Sequence, residues 1–327
     1  MPLALTSSSR WFSSQITRHR IPFGFAEHPS CIFIYRWIHG KLGPPPVRVT
    51  VTERAGRGVF STRHIGAGEQ IHTAKPVVSH PALSKCGTVC YLCLKKLPST
   101  QLRDGERFTY CSRECSEESK MFCEIESHTD WSEFDEYCRS TGLKYPLLVK
   151  RLACMVASGT MSPDCLTILQ PAILSKEMVL KMEEGYELLS SCLARTYTSI
   201  EQRSFLTRQW YCDVLARIHI NAFRIELAVG SYDDLLSSAA ASVEGEIAVG
   251  NAVYMLPSFY NHDCDPNAHI VWIDSANASL KALRDVQEGE ELRICYIDAS
   301  MDRGARQSIL LNGFGFECNC QRCVSDY

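Results

Sequence analysis

Cysteine placement constrains this chain more than any other feature. Among its 17 cysteines, Cys90, Cys93, Cys111 and Cys115 form C-x2-C-x17-C-x3-C, and Cys318, Cys320 and Cys323 form C-x-C-x2-C close to the end. Two close pairs presented from separate turns can close a tetrahedron of thiolates around one zinc ion. Such a site is structural, because no coordination position remains for water. A redox role for the first pair would call for a thioredoxin-like βαβ unit, and none surrounds it. Cys123 and His128 follow the first set, with Cys86 and Cys138 nearby, but no close pair joins them. They read as a packed cysteine and a surface histidine, not as a second zinc in this stretch. Cys154, Cys192 and Cys212 stand alone. Close pairs in a long chain indicate metal in place of disulfides, and hence a reducing compartment.

The tail set offers three thiolates and a closed site needs a fourth. Cys264, inside YNHDCDPNAH (260–269), can supply it and so tie the chain end onto that turn. A competing reading is a hydrolytic zinc held by His262, Asp263 and Asp265. That site would need three converging side chains and an open position, whereas Cys264 in their midst already has better-matched partners.

Composition narrows the remaining choices. With 327 residues and 45% apolar content the chain can bury one large core or two modest ones. A formal net charge of -3 provides no general basic field, so direct nucleic-acid contact is not expected. No apolar run approaches the roughly 20 residues of a membrane helix, and no membrane span is expected. Residues 1–46 differ from the rest: Arg10, Arg18, Arg20, Arg36 and Lys41 face a single acid, Glu27, among Ser7, Ser8, Ser9, Ser13 and Ser14. This is transit-peptide composition, pointing to a mitochondrion or a plastid, with the nucleus as the alternative for an uncleaved leader.

Beyond GPPP (43–46) the chain changes period. VRVTVTE alternates as a strand, and GRGVFST and GEQIHTAKPVVS continue as short strands, together expected to form a small antiparallel meander over 47–85. The cysteine-rich insert covers 86–138. Over 139–247 apolar residues recur at helical spacing: Leu148, Leu152 and Met155; Met178, Met182, Tyr186 and Leu189 behind Ser175 as a cap; Leu206, Trp210, Val214 and Ile218. Strands resume over 248–300 in AHIVWID, ASLKALRDV and EELRICYID, and 301–327 carries the terminal cysteines.

AGRGVFSTRHIGAGE, FYNHDCDPN, EGEELRICYID and FECNCQRC, in that order, resemble the successive motifs of SET-domain lysine methyltransferases. The insert with Cys90, Cys93, Cys111 and Cys115 looks like the MYND zinc finger of the SET-and-MYND branch. The resemblance spans about residues 47 to 325 and is nearest to short plant trithorax-related members. It implies an α+β fold: SET-type short antiparallel sheets, a zinc-finger insert, a helical insert and a zinc-binding post-SET tail. It further implies S-adenosylmethionine as cofactor, two structural zinc ions, and a monomer acting on a protein lysine, in a histone tail or an organellar protein. By position, Gly56, Arg57 and Gly58 would run along the cofactor, and Asn221 and Ser258 would line the same pocket. Asn261 and His262 would hydrogen-bond it, Phe316 would stack on its adenine, and Tyr296 would be catalytic.

Three departures from that pattern stand out. Phe314 occupies a place where many members of the branch carry a second channel tyrosine. LKKLPSTQLRDGERFTY contains no cysteine pair, so the finger is expected to take one zinc. The chain ends at Tyr327 without the helical domain of larger relatives, so a more open substrate cleft is expected. Phe314 and the reduced finger are the features that a catalytically weak, peptide-binding adaptor would also have.

Overall fold

Valines at 47, 49 and 51 put one apolar face on β1 (Val47–Val51), which pairs antiparallel with β2 (Arg57–Ser61). The computed structural model describes residues 44–53, 55–101, 107–141, 143, 145–228 and 248–325. These lie within the unit Ile38–Tyr327. The leader expected over 1–46 falls outside the described residues, apart from its last three positions.

The other strands are β3 (Gln70–Ala74), β4 (Val78–Pro81), β5 (Ala222–Ile225), β6 (Gly250–Val253), β7 (Asn261–His262), β8 (Ala268–Val271), β9 (Ala278–Ala282) and β10 (Glu291–Ile294). They form three small sheets, ordered β1-β2-β10-β7, β3-β9-β8 and β4-β6-β5. The pairings are antiparallel except β10 with β7. This corrects the meander expected over 47–85: of its four strands only β1 and β2 pair with each other, while β3 and β4 pair with β9 and β6 from the later part of the chain. Alternation identifies a half-buried strand but carries no information about its neighbour.

The helices are α1 (Arg113–Ser127), α2 (Ser132–Ser140), α3 (Pro146–Ala157), α4 (Lys176–Ala194), α5 (Ile200–Arg203), α6 (Arg208–Asn221), α7 (Arg303–Phe314) and α8 (Gln321–Val324). Ser175 caps α4 as expected, its hydroxyl accepting from Met178 N–H at 3.2 Å. Leu206 is a correction, because Thr207 caps α6 by accepting from Trp210 N–H, which leaves Leu206 buried but before the helix. The helical reading of 139–247 also omits β5, a strand of four residues and too short to show a period. Among the described residues no helix is long and apolar enough to cross a membrane.

Apolar side chains gather in three places. Phe122, Ile125 and Phe134 of the cysteine-rich insert share one core with Leu148, Leu152, Met182, Leu189 and Leu215. Val59, Ile71, Tyr254, Tyr260, Leu280 and Leu292 fill a second core among the sheets. A third, much smaller cluster joins Leu310 to Cys264, Cys318, Cys320 and Cys323, with Tyr296, Phe314 and Phe316 packed against it.

Candidate active site

Two thiol clusters are assembled. The Sγ atoms of Cys90, Cys93, Cys111 and Cys115 lie within 4.8 Å of one another, as do those of Cys264, Cys318, Cys320 and Cys323. All are free cysteines. A tetrahedron with zinc–sulfur bonds of about 2.3 Å has edges of about 3.8 Å. The sulfurs of Cys93 and Cys111 are 3.5 Å apart, and those of Cys111 and Cys115 3.7 Å. In the tail set, Cys264 is 3.6 Å from Cys323 and 3.9 Å from Cys318. Both sets therefore fit a zinc ion. Burial raises the Cys318 thiol to about 11 and holds Cys264 up as well. At Cys323 burial also raises the value, but hydrogen bonds from Arg306 and the neighbouring thiols outweigh it and leave this thiol below its ordinary range. Cys123 instead accepts from the Tyr110 hydroxyl, and His128 Nδ1 bonds to Glu124 O at the end of α1.

Beside the tail cluster lies an aromatic box. β7 is two residues long, and its parallel register on β10 sets Asn261 against Arg293 and His262 against Ile294. Two residues past Ile294, the last paired position of β10, Tyr296 N–H donates to His262 Nδ1 at 3.1 Å. The ring of His262 lies 5.3 Å from that of Tyr296 and 6.0 Å from that of Phe316, and Tyr296 lies 5.0 Å from Phe314. Gly315 ends α7 in the left-handed region (φ 80°), which suits glycine and turns the chain so that Phe314 and Phe316 both border Tyr296. The Tyr296 hydroxyl donates to Tyr260 O at 2.5 Å. Burial, reinforced by Glu291, raises this phenol above its ordinary value. Burial lowers His262 to about 4 against the opposing pull of Asp263.

The glycine motif joins this box through Asn261. Its Nδ2 donates to Arg57 O at 3.1 Å and to Glu291 Oε1 at 2.7 Å. Gly58 is buried where β2 meets Asn261, and Gly56 sits in the turn before it, accepting from Thr52 N–H at 2.6 Å. Arg57 lies over the Phe259 ring at 4.8 Å and donates to Ile168 O. Asn221, at the end of α6, donates to Gln170 O at 2.8 Å and to Arg217 O at 2.7 Å. Segment 168–170 thus bridges Arg57 and Asn221. Ser258, in the turn Pro257–Phe259, donates to Tyr254 O at 2.6 Å.

The fold therefore gathers Gly56, Arg57, Gly58, Asn261, His262, Tyr296, Phe314 and Phe316 around β7. Asn221 and Ser258 are reached through segment 168–170 and the Pro257–Phe259 turn. Both nitrogens of His262 are engaged inside the protein, Nδ1 by Tyr296 N–H and Nε2 by Cys264 Sγ at 3.3 Å. The hydrolytic alternative finds no converging ligands: Asp263 Oδ2 pairs with Arg293 at 3.3 Å and its Oδ1 accepts from Asp265 N–H.

Several residues were missed. Asn267 is buried, donating to Glu291 O at 2.8 Å and accepting from Arg293 N–H at 2.8 Å, so it pins the turn after Cys264 to β10. Its place two after Asp265 in DPN was the available signal. Glu291, Tyr260 and segment 168–170 gave none, since their roles come from partners distant in sequence. A separate surface cavity of about 730 Å³, bordered by His80, Cys138, Tyr145 and Arg224, includes none of the expected site residues.

Several known proteins are similar to this chain. The SET domain family profile matches residues 56–297. The chain is 62% identical over 286 residues to "Histone-lysine N-methyltransferase ATXR4" of Arabidopsis thaliana, covering 87% of this chain and 88% of that protein. It is 25% identical over 273 residues to a SET and MYND domain-containing protein of Dictyostelium discoideum, covering 78% and 77%. Among solved structures, the SET domain of LSMT bound to MeLysine and AdoHcy is similar over 89% of this chain and 57% of that one, at 14% identity and a TM-score of 0.42. With the matched span running from the glycine turn before β2 to the residue after Tyr296, and with so similar a plant relative, the chain belongs to the SET-domain family.

Proposed function

We propose that the chain is a protein-lysine N-methyltransferase that uses S-adenosylmethionine. The observation that carries the reading is Tyr296, its hydroxyl tethered to Tyr260 O and its ring bordered by His262, Phe314 and Phe316 beside the Asn261–Arg57 contact. Support also comes from the name and 62% identity of the Arabidopsis thaliana relative.

Half-buried aromatic faces at Tyr296, Phe314 and Phe316 suit both a flat purine and a cationic sulfonium. When bound, S-adenosylmethionine supplies an activated methyl group for in-line displacement. This chain's residues then need only to bind, orient and exclude water. A free lysine has a pKa of about 10.4, which transfer into an apolar box lowers toward the neutral amine that can attack. Because burial keeps the Tyr296 phenol protonated, its hydroxyl works as an orienting dipole, not as a base. Its proton is directed to Tyr260 O, which leaves the oxygen lone pairs to accept from the amine. Phe314 presents a ring and no hydroxyl next to Tyr296, which limits how water or a partly methylated amine can be held.

Isothermal calorimetry and methyl transfer to protein extracts test this reading with Tyr296→Phe as the comparison. Cofactor affinity should change by no more than about twofold, while transfer falls on the order of 100-fold. Equal silence of both proteins while the cofactor still binds would replace this reading with the adaptor that Phe314 and the single-site finger also suit. We further propose that the basic leader directs the protein to an organelle, with an organellar protein as substrate. Imaging of a C-terminally tagged chain, with sequencing of its mature N-terminus, separates this from a nuclear protein acting on histones.

A further inference from the structure

Among the described residues the tail thiols have two buried side-chain donors, Arg306 and His262, and the first of them lies in no motif. Arg306, in α7, is 2% exposed, and its Nη2 lies 3.8 Å from Cys323 Sγ while its Nη1 donates to Met301 O at 2.6 Å. Its buried Nε has no partner among the described residues. The next residue, Gln307, clamps Cys318 twice, accepting from its N–H at 2.8 Å and donating to its O at 2.6 Å. Arg322 Nη1 donates to Cys264 O at 3.2 Å. The second donor is His262. Since its Nδ1 accepts from Tyr296 N–H, the neutral ring must carry its hydrogen on Nε2, which faces Cys264 Sγ at 3.3 Å.

Charge accounts for this arrangement. Four thiolates around a divalent ion leave two net negative charges in a cluster where every cysteine is buried. A buried charge without a counter-charge is costly, and one guanidinium halves it. The finger cluster, with three of its four cysteines only partly buried, can leave that task to water.

We propose that Arg306 and His262 are positioning residues that couple the tail metal site to the Tyr296 backbone. Arg306 neutralises the thiolates, and His262 is held between Cys264 Sγ and Tyr296 N–H in a single tautomer. This extends the proposed function, since Tyr296 is its central residue, but its test requires no methyl transfer.

The full chain, loaded with zinc, is treated with EDTA and iodoacetamide, and alkylation is mapped by peptide. Arg306→Met should speed alkylation of Cys264, Cys318, Cys320 and Cys323 by about 10- to 100-fold, with the rates at Cys90, Cys93, Cys111 and Cys115 unchanged. Arg306→Lys, which keeps the charge, should fall between that variant and wild type. In wild type, nitrogen-15 spectra of the imidazole should show His262 with hydrogen on Nε2, and that signature, with the Tyr296 amide shift, should move when zinc is withdrawn. Unchanged tail alkylation in Arg306→Met overturns the charge role. A His262 signature and Tyr296 amide indifferent to zinc overturn the coupling. If Arg306→Met exposes both clusters through unfolding, Arg306→Lys and the wild-type spectra decide. A chain that passes these measurements but transfers no methyl group would refute the proposed function alone.

Discussion

At Gly58 an added Cβ would lie 2.6 Å from Glu291 Oε1, 2.9 Å from Thr52 Cγ2 and 3.0 Å from Asn261 Nδ2. Two of those atoms, Asn261 Nδ2 and Glu291 Oε1, are bonded to each other, and the same Nδ2 donates to Arg57 O. Gly58→Ala should therefore push Asn261 aside while leaving β2 paired, at a cost of about 1–3 kcal/mol. Calorimetry should find S-adenosylmethionine bound at least about tenfold more weakly; unchanged affinity would remove Asn261 from the proposed pocket. That Gly58, Asn261 and Tyr296 would lie close together was legible because their motifs occur in a specific order. The hydrogen-bonding role of His262 was not, because a histidine's two nitrogens are assigned only once their neighbours are known.

Arg151 shows what happens at the level of elements. It is carried by α3, almost fully buried, and its guanidinium lies between the rings of Tyr91 at 4.3 Å and Phe122 at 4.9 Å. It pairs with Glu126 of α1 at 2.6 Å and donates to Ser79 O at 3.0 Å. Lys150 beside it pairs with Asp135 of α2 at 2.9 Å. These ion pairs and the shared apolar core join the cysteine-rich insert to the helices beyond it. Glu126→Ala should leave a buried guanidinium without its carboxylate and cost about 3–5 kcal/mol, measured as a lower urea midpoint. Replacing both, Glu126→Leu with Arg151→Met, should recover most of that loss. A Glu126→Ala midpoint equal to wild type would mean the insert is not held by this pair. Helical spacing made α3 and α4 readable in advance, whereas nothing in that spacing marks Lys150 and Arg151 as buried. Their burial depends on a partner in another element.

Over the whole molecule, both thiol clusters could hold metal, and buried histidines respond to protons. The finger cysteines are more exposed than the tail cysteines, so a strong chelator should strip the finger site first. Timed alkylation checks the order, and simultaneous loss would contradict it. Protons act through His72 of β3, whose Nδ1 faces Thr73 O at 3.3 Å and whose Nε2 meets the Tyr260 hydroxyl at 2.9 Å. Burial lowers its pKa from 6.5 to about 4. The unfolded chain thus binds the proton more readily between those values, so stability is complete above about pH 6.5 and falls as pH drops toward 4. The loss is on the order of 3 kcal/mol. Urea titrations at pH 7 and pH 4.5 should show that difference, and His72→Gln should reduce it; an unchanged slope would locate the acid sensitivity elsewhere, with His80, also held well below its ordinary value by burial, as the next candidate.

Sequence alone determined the grouping of the cysteines, the strand and helix periods, and the family, because cysteine spacing, side-chain alternation and motif order are local or one-dimensional properties. It also allowed Cys264 to be paired with the tail, since three thiolates need a fourth. Only tertiary structure decided that β3 and β4 pair with β9 and β6, that segment 168–170 bridges Arg57 and Asn221, and that Arg306 faces the tail thiols. In each case the partners are far apart along the chain, and they meet because burying apolar faces outweighs the entropy of closing long loops. That balance belongs to the whole fold and leaves no mark on any single stretch of sequence.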